Sequence, residues 1–207
     1  MCAESATSSA SAGSCLYARS MARKLRPHVD DGIYHVTSRA ARGGPLFVDH
    51  VDRLCFEDVL ATSVPRAGFE LLAYCLMGTH YHLLVRTPDA NIGAGMKRLN
   101  WLYAWRFNRR HRGKGHAFES RYGSSLIADE RHLVAAVRYI AQNPVRAGLT
   151  SSPLAWRWSS YAPTIGVRPC PPFLMTAPVL DLFHRETWRA RSALREFVEQ
   201  RELFAAA

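Results

Sequence analysis

The elements legible in the sequence run β-α-β-β-α-β and then into further helices. That order predicts an α+β protein on the ferredoxin-like split βαβ plan: one antiparallel sheet with helices on one face, plus a helical C-terminal tail. Three observations carry the expectation. Two apolar runs, Phe69 to Met77 and His80 to Thr87, are separated only by Gly78-Thr79, which is hairpin spacing. Segments with helical periodicity follow the first and third strands. A chain of 207 residues is long enough for one well-packed core and short for two.

The first strand is the β-branched and aromatic run Gly32-Ile33-Tyr34-His35-Val36-Thr37-Ser38-Arg39, closed by the loop Arg42-Gly43-Gly44-Pro45. Asp49 then offers an N-cap to a helix whose apolar residues Val51, Leu54, Cys55, Val59 and Leu60 recur until Pro65 and Gly68 stop the pattern. The hairpin supplies strands two and three. Between Pro88 and Gly113, Ile92, Met96, Leu99, Tyr103 and Phe107 fall three or four apart and predict a long second helix. Tyr122 to Ala128 supplies a fourth strand. Asp129 caps a third helix with Leu133, Val137 and Ile140 as its stripe, expected to end at Pro144. Residues 21–165 form the expected domain. Residues 166–207 form a tail with an arginine-rich helix around Asp181 to Phe204. Residues 1–20, rich in Ser and Ala, read as a disordered extension, and Met21 is a candidate translation start.

Composition narrows the function. Lys and Arg exceed Asp and Glu by 10, which points to a polyanionic partner, while 48% hydrophobic and 21% charged residues mark a folding chain rather than a disordered basic tail. Five scattered cysteines without CxxC spacing support neither a disulfide framework nor a zinc ribbon and suit the reducing cytoplasm. No apolar run reaches the ~20 residues of a spanning helix, so no membrane segment is expected.

In His80-Tyr81-His82, residues i and i+2 of a strand share a face, so both imidazoles converge and form half of a divalent-metal site. Without context the triplet reads equally as two surface or hydrogen-bonded histidines. Tyr139 and Asn143, at i and i+4 on the third helix, lie side by side, so an amide could complete a His-His-amide site that presents a phenol to a bound phosphate. Tyr139 also reads as a core tyrosine, one of eight, and Asn143 as a helix end before proline. His35 approaches the same site if its strand neighbours the third. The second helix and its loop carry Lys97, Arg98, Arg106, Arg109, Arg110, Arg112, Lys114 and Arg121, opposed only by Glu119 and interleaved with Trp101, Tyr103, Trp105, Phe107 and Phe118. Cations that track phosphates beside rings that stack bases suit single-stranded nucleic acid, while an amphipathic helix with core aromatics is the plainer reading. Arg146, Trp156 and Trp158 make a second basic-aromatic cluster, either packing the tail or touching DNA.

These motifs, in this order and spacing, resemble the single-tyrosine HUH (His-hydrophobic-His) nucleases, and within them the REP-associated tyrosine transposases of bacteria. The resemblance rests on Met21-Ala-Arg-Lys-Leu-Arg-Pro, Gly32 to Arg39, Met77-Gly-Thr-His-Tyr-His-Leu-Leu84, Arg98-Leu-Asn100, Arg106-Phe-Asn-Arg-Arg110 and Phe118-Glu-Ser-Arg-Tyr122. It continues with Tyr139-Ile-Ala-Gln-Asn-Pro-Val-Arg-Ala-Gly-Leu149 and Trp156-Arg-Trp-Ser-Ser-Tyr161, covering roughly residues 21–165. It implies binding of hairpin-forming single-stranded DNA, cleaved by tyrosine attack to a 5′-phosphotyrosine and a free 3′-hydroxyl. His80 and His82 would hold Mg²⁺ or Mn²⁺, Tyr139 would be the nucleophile, and Asn143 the third ligand, with Gln142 its rival. Arg98, Arg106, Arg109, Arg110, Arg112, Lys114, Arg121 and Arg146 would bind DNA, and the protein would act as a monomer or a homodimer. Two other readings stay open: a non-catalytic, regulatory hairpin-binding module of the same fold, and a hydrolytic metalloenzyme using water at His80 and His82.

Overall fold

The computed structural model describes residues 29–200; the expected extension 1–20, the Met21 start and the Met21 to Pro27 motif lie outside the described residues. Four strands, β1 (Gly32–Arg39), β2 (Glu70–Leu76), β3 (His80–Thr87) and β4 (Gly123–Leu126), make one sheet in the order β2-β3-β1-β4. Each neighbouring pair is antiparallel. This is the expected split βαβ arrangement: β3 inserts between β2 and β1, the two strands joined by the first helix.

Alternation along each strand sorts the side chains into two cores. Tyr34, Val36, Leu71, Tyr74, Leu76, Tyr81, Leu83 and Val85 face α1 (His50–Arg66) and α2 (Ile92–His111). Leu72, Ala73, Cys75, Met77 and Leu84 face α3 (Glu130–Arg146) and the tail. A register shift between Leu71 and Ala73 lets the consecutive Leu72 and Ala73 join the same core. α1 and α2 share one face as expected. The other face, to which the split βαβ plan assigns no helix, is covered over β2 and β3 by α3, α4 (Tyr161–Thr164), α5 (Ala177–Leu180) and α6 (Thr187–Glu199). The reason is in β2 itself: a strand apolar on both faces needs two layers of cover.

The tail also closes the β2 edge. Leu76 N–H donates to Trp158 O at 2.8 Å, Ser160 N–H to Tyr74 O at 2.9 Å, and Met175 N–H to Leu71 O at 2.8 Å, so that strand offers no unpaired ladder to another chain. Trp156 Nε1 donates to Leu76 O at 3.1 Å, and the Arg53 guanidinium lies over the rings of Phe47, Trp156 and Trp158. The tryptophans therefore pack the tail, the first of the two alternatives.

Two helices depart locally from the expected pattern. In α1, capped by Asp49, the buried face is Asp52, Phe56, Val59, Leu60, Ser63 and Val64, while Val51 and Leu54 are exposed. The face rotates because Asp52 turns inward, accepting from Val48 N–H at 2.8 Å and pairing with Arg110 of α2. α3 runs past Pro144 to Arg146. A proline in the last turn removes one hydrogen bond without ending the helix, and Ala147 N–H still reaches Asn143 O at 2.9 Å.

Candidate active site

Register builds the site. Thr37 pairs with His82 and His35 with Leu84 across β1 and β3, so His35 and Thr37 share a face with His80 and His82. His35 Nε2 and His82 Nδ1 are 2.9 Å apart and hydrogen-bonded, with the rings stacked at 5.2 Å between centroids. The His80 ring stands edge-on to His82 at 5.0 Å, its Nδ1 bonded to Thr79 Oγ1 at 3.1 Å. Tyr81, between them, points to the α1/α2 core and donates to Asn100 Oδ1.

All three histidines favour the neutral form. Burial, then the neighbouring His35 and His80 rings and Arg39, pull His82 down to about 3. Burial and the charge of His132 lower His35, and burial with Arg39 lowers His80. His82 is only 5% exposed, yet its Nε2 is buried with no hydrogen-bond partner. When His82 Nδ1–H donates to His35, a lone pair is left on that Nε2.

Tyr139 comes from α3, whose amphipathic stripe holds the helix on β2 and β3. Its ring stands edge-on to His82 at 5.6 Å and to His35 at 5.7 Å, and 39% of the residue is exposed, so it is not a core tyrosine. The Arg146 guanidinium lies 5.4 Å from its ring centroid. Asn143, buried one turn further, donates from Nδ2 to Tyr139 O at 3.1 Å, which leaves Oδ1 as the atom for other partners. The rival Gln142 donates to Val198 O and so is tied to the end of α6.

Thr37, Ser38, Arg39, His80, His82, Ser120, Arg121, Gly123 and Tyr139 line a cleft of about 240 Å³. Two arginines and no carboxylate line it, a charge balance that suits a phosphodiester. Among the described residues, no group of three or more His, Cys, Asp or Glu side chains is placed to hold a metal. A divalent ion nonetheless fits the donors present: the orphaned His82 Nε2, His80, and oxygen ligands brought by a bound phosphate. Sequence reasoning did not nominate Arg39 or Thr37; their signal was the two-residue period from His35. Ser120 gave none.

The other candidates divide. Arg98, Arg109, Arg112, Lys114 and Arg121 are exposed, with Arg106 partly so. Arg112 ends α2 in the left-handed conformation, φ 50°. Arg110 also makes ion pairs within the fold. Its guanidinium donates to Asp49 Oδ2 at 2.6 Å and to the buried Asp52, tying the start of α1 to the end of α2. A buried carboxylate requires a charged partner, and this arginine supplies one beside His111.

Comparison with known proteins adds to this geometry. The fold matches a solved REP-associated tyrosine transposase bound to a REP hairpin, with TM-score 0.61 and 16% identity over 75% of this chain and 91% of that one. A Deinococcus radiodurans protein described as a transposase is 23% identical over 59% of this chain and 97% of its own, with TM-score 0.42. No curated protein matches the chain. Among the described residues no helix is long and apolar enough to cross a membrane. The family model for IS200-like transposases matches residues 28–143. That span holds β1 through the Tyr139 and Asn143 turn of α3, more than half the chain, and the protein belongs to the IS200-like transposase family.

Proposed function

We propose that the protein is a single-strand DNA endonuclease and strand transferase that binds hairpin-forming DNA and cleaves it through Tyr139. One observation carries the reading: a partly exposed phenol and two neutral imidazoles meet at a carboxylate-free cleft flanked by Arg39 and Arg121. A phosphodiester bound there has Arg39, Arg121 and the Arg146 guanidinium near its charge. The Tyr139 oxygen attacks phosphorus, the bond from phosphorus to the 3′-oxygen breaks, the phenol gives up its proton, and the leaving oxygen takes one up as a 3′-hydroxyl. The 5′-phosphotyrosine retains the bond energy for rejoining.

His80, His82 and Asn143 would hold Mg²⁺ or Mn²⁺, which supplies charge neutralisation at the scissile phosphate. His35 holds the His82 ring in the tautomer that leaves Nε2 free, as hydrogen bonds to ligating histidines commonly do. With two imidazoles, one amide and no carboxylate, affinity for the ion is weak until DNA adds phosphate oxygens, and imidazole ligands favour Mn²⁺ over the harder Mg²⁺. Arg98, Arg106, Arg109, Arg112, Lys114 and Arg121 contact phosphates of the hairpin and its flanks.

Wild type and Tyr139→Phe, incubated with labelled single-stranded DNA from the gene's own flanks and with Mg²⁺, Mn²⁺ or chelator, test this on denaturing gels. A metal-dependent adduct in wild type that is absent from Tyr139→Phe is the expected result. Tight binding with no adduct under either metal would leave a hairpin-binding module. Cleavage that persists in Tyr139→Phe would point to a water nucleophile.

A further inference from the structure

A groove of about 1260 Å³ runs between α2 and the segment 115–124. The α2 wall of this groove presents Trp101, 65% exposed, and Trp105, 48% exposed, one helical turn apart. The interleaved rings of the same helix do the opposite: Tyr103 is fully buried and Phe107 packs against the core. The aromatics of α2 thus divide into a pair packed on the core and an exposed pair outside it, and large exposed rings grouped together mark a recognition surface. The Arg109 guanidinium lies 5.4 Å from the Trp105 ring centroid. Lys97 and Arg121 also line the groove, and Glu119 is its single acidic residue. Ser120, Arg121 and Gly123 line both this groove and the catalytic cleft, so the two adjoin at the end of β4.

We infer that this groove is a single-strand track: it takes the unpaired DNA that leads into the cleft, stacking bases on Trp101 and Trp105 while Lys97, Arg109 and Arg121 meet the phosphates. Ring faces decide for single strand over duplex. Paired bases are already stacked on each other, whereas every unpaired base has a free π-face for an indole, whatever its identity. The positive lining decides for nucleic acid over an apolar protein segment. From Gly93 to Asn108 the wall spans about 22 Å, room for at most about six stacked nucleotides. The inference deepens the proposed function and rests on it for the direction of the strand toward Tyr139, but its binding step is separable from chemistry.

The test uses full-length protein carrying Tyr139→Phe, so that cleavage does not enter, and two fluorescent probes of equal length and charge: (dT)8 and an eight-unit abasic oligomer. Fluorescence anisotropy is expected to show (dT)8 binding at least about 10-fold tighter than the abasic oligomer. Replacing both Trp101→Ala and Trp105→Ala should bring the two affinities within about 2-fold of each other, with an unchanged melting temperature. Lys97→Ala should weaken both probes alike and flatten the salt dependence. The inference is overturned if the tryptophan double variant keeps the preference for bases, or if the Tyr139→Phe protein shows none. It also falls if sedimentation shows that the tryptophans set self-association and not DNA affinity. Base-dependent binding by a protein whose Tyr139-intact form never makes an adduct would uphold the track and overturn the catalytic proposal instead.

Discussion

The two faces of the sheet are made from the same strands, residue by alternate residue, and are built to different rules. On the α1/α2 face every inward position of β3 from Tyr81 to Val85 is apolar, and Phe56 meets Tyr81 and Tyr103, each at 4.9 Å between ring centroids. Tyr103 O–H donates to Leu46 O at 2.6 Å, while the small Ser63 hydroxyl is buried on this face without a hydrogen-bond partner. On the α3 face Leu84 is packed, but its neighbour on β1 is His35, and toward the start of β3 the face turns to His82 and His80; His82 keeps a buried nitrogen without a partner. Native interiors avoid such atoms because each costs roughly 1–3 kcal/mol. A lone hydroxyl in a packed face differs from an unpartnered imidazole nitrogen set beside two further histidines at an open cleft, and local exceptions of the second kind are expected at functional sites.

The contrast can be broken at several points. Exchanging both His80→Ala and His82→Ala should reduce adduct formation by about 10³-fold or more while the chain stays folded, measured by single-turnover labelling with Mn²⁺. Retained activity would remove the histidines from the mechanism. On the closed face, Phe56→Ala should cost about 3–5 kcal/mol in denaturant unfolding and leave the adduct yield per folded molecule intact. An added methyl at Gly95 would collide with the Phe69 ring, so Gly95→Ala should destabilise by about 1–3 kcal/mol through overpacking. The smallest effect sharpens the comparison most: the paired replacement of His35→Val and His82→Leu should leave stability unchanged or raise it by about 1 kcal/mol, because both hydrogen-bond partners become apolar together. A loss above about 2 kcal/mol would show that these histidines hold their face together, and the division between the faces would fail.

Much of this was legible from residue patterns. The strands, the hairpin and the capped helices follow from period-two runs and from Asp49 and Asp129, which accept from the first-turn N–H groups of α1 and α3 as expected. His80, His82 and Tyr139 could be nominated because their spacing survives folding, and the structure brings all three to one cleft. What escaped depends on partners far along the chain. Arg110 looks like any surface arginine until Asp52, 58 residues earlier, turns inward beneath it. The covering of the second face required knowing where α6 lands, and amphipathicity announces a partner without naming it. The stripe through Tyr103 and Phe107 set them apart from Trp101 and Trp105, but periodicity did not say whether the two tryptophans meet another element or, as the structure has it, solvent.

The ties between α3 and the far end of the tail carry a consequence for biosynthesis. Arg138 donates to Gln200 O and Gln142 to Val198 O, so the helix that carries Tyr139 is fastened by groups that leave the ribosome last among the described residues. At ordinary elongation rates the roughly 60 intervening residues take about 3–12 s to appear. During that interval the sheet is complete while the apolar stripe of α3 still lacks its α6 neighbour. A nascent chain paused there exposes the apolar surface that the folded protein buries beside Tyr139, and such transiently exposed surface is open to aggregation until α6 arrives.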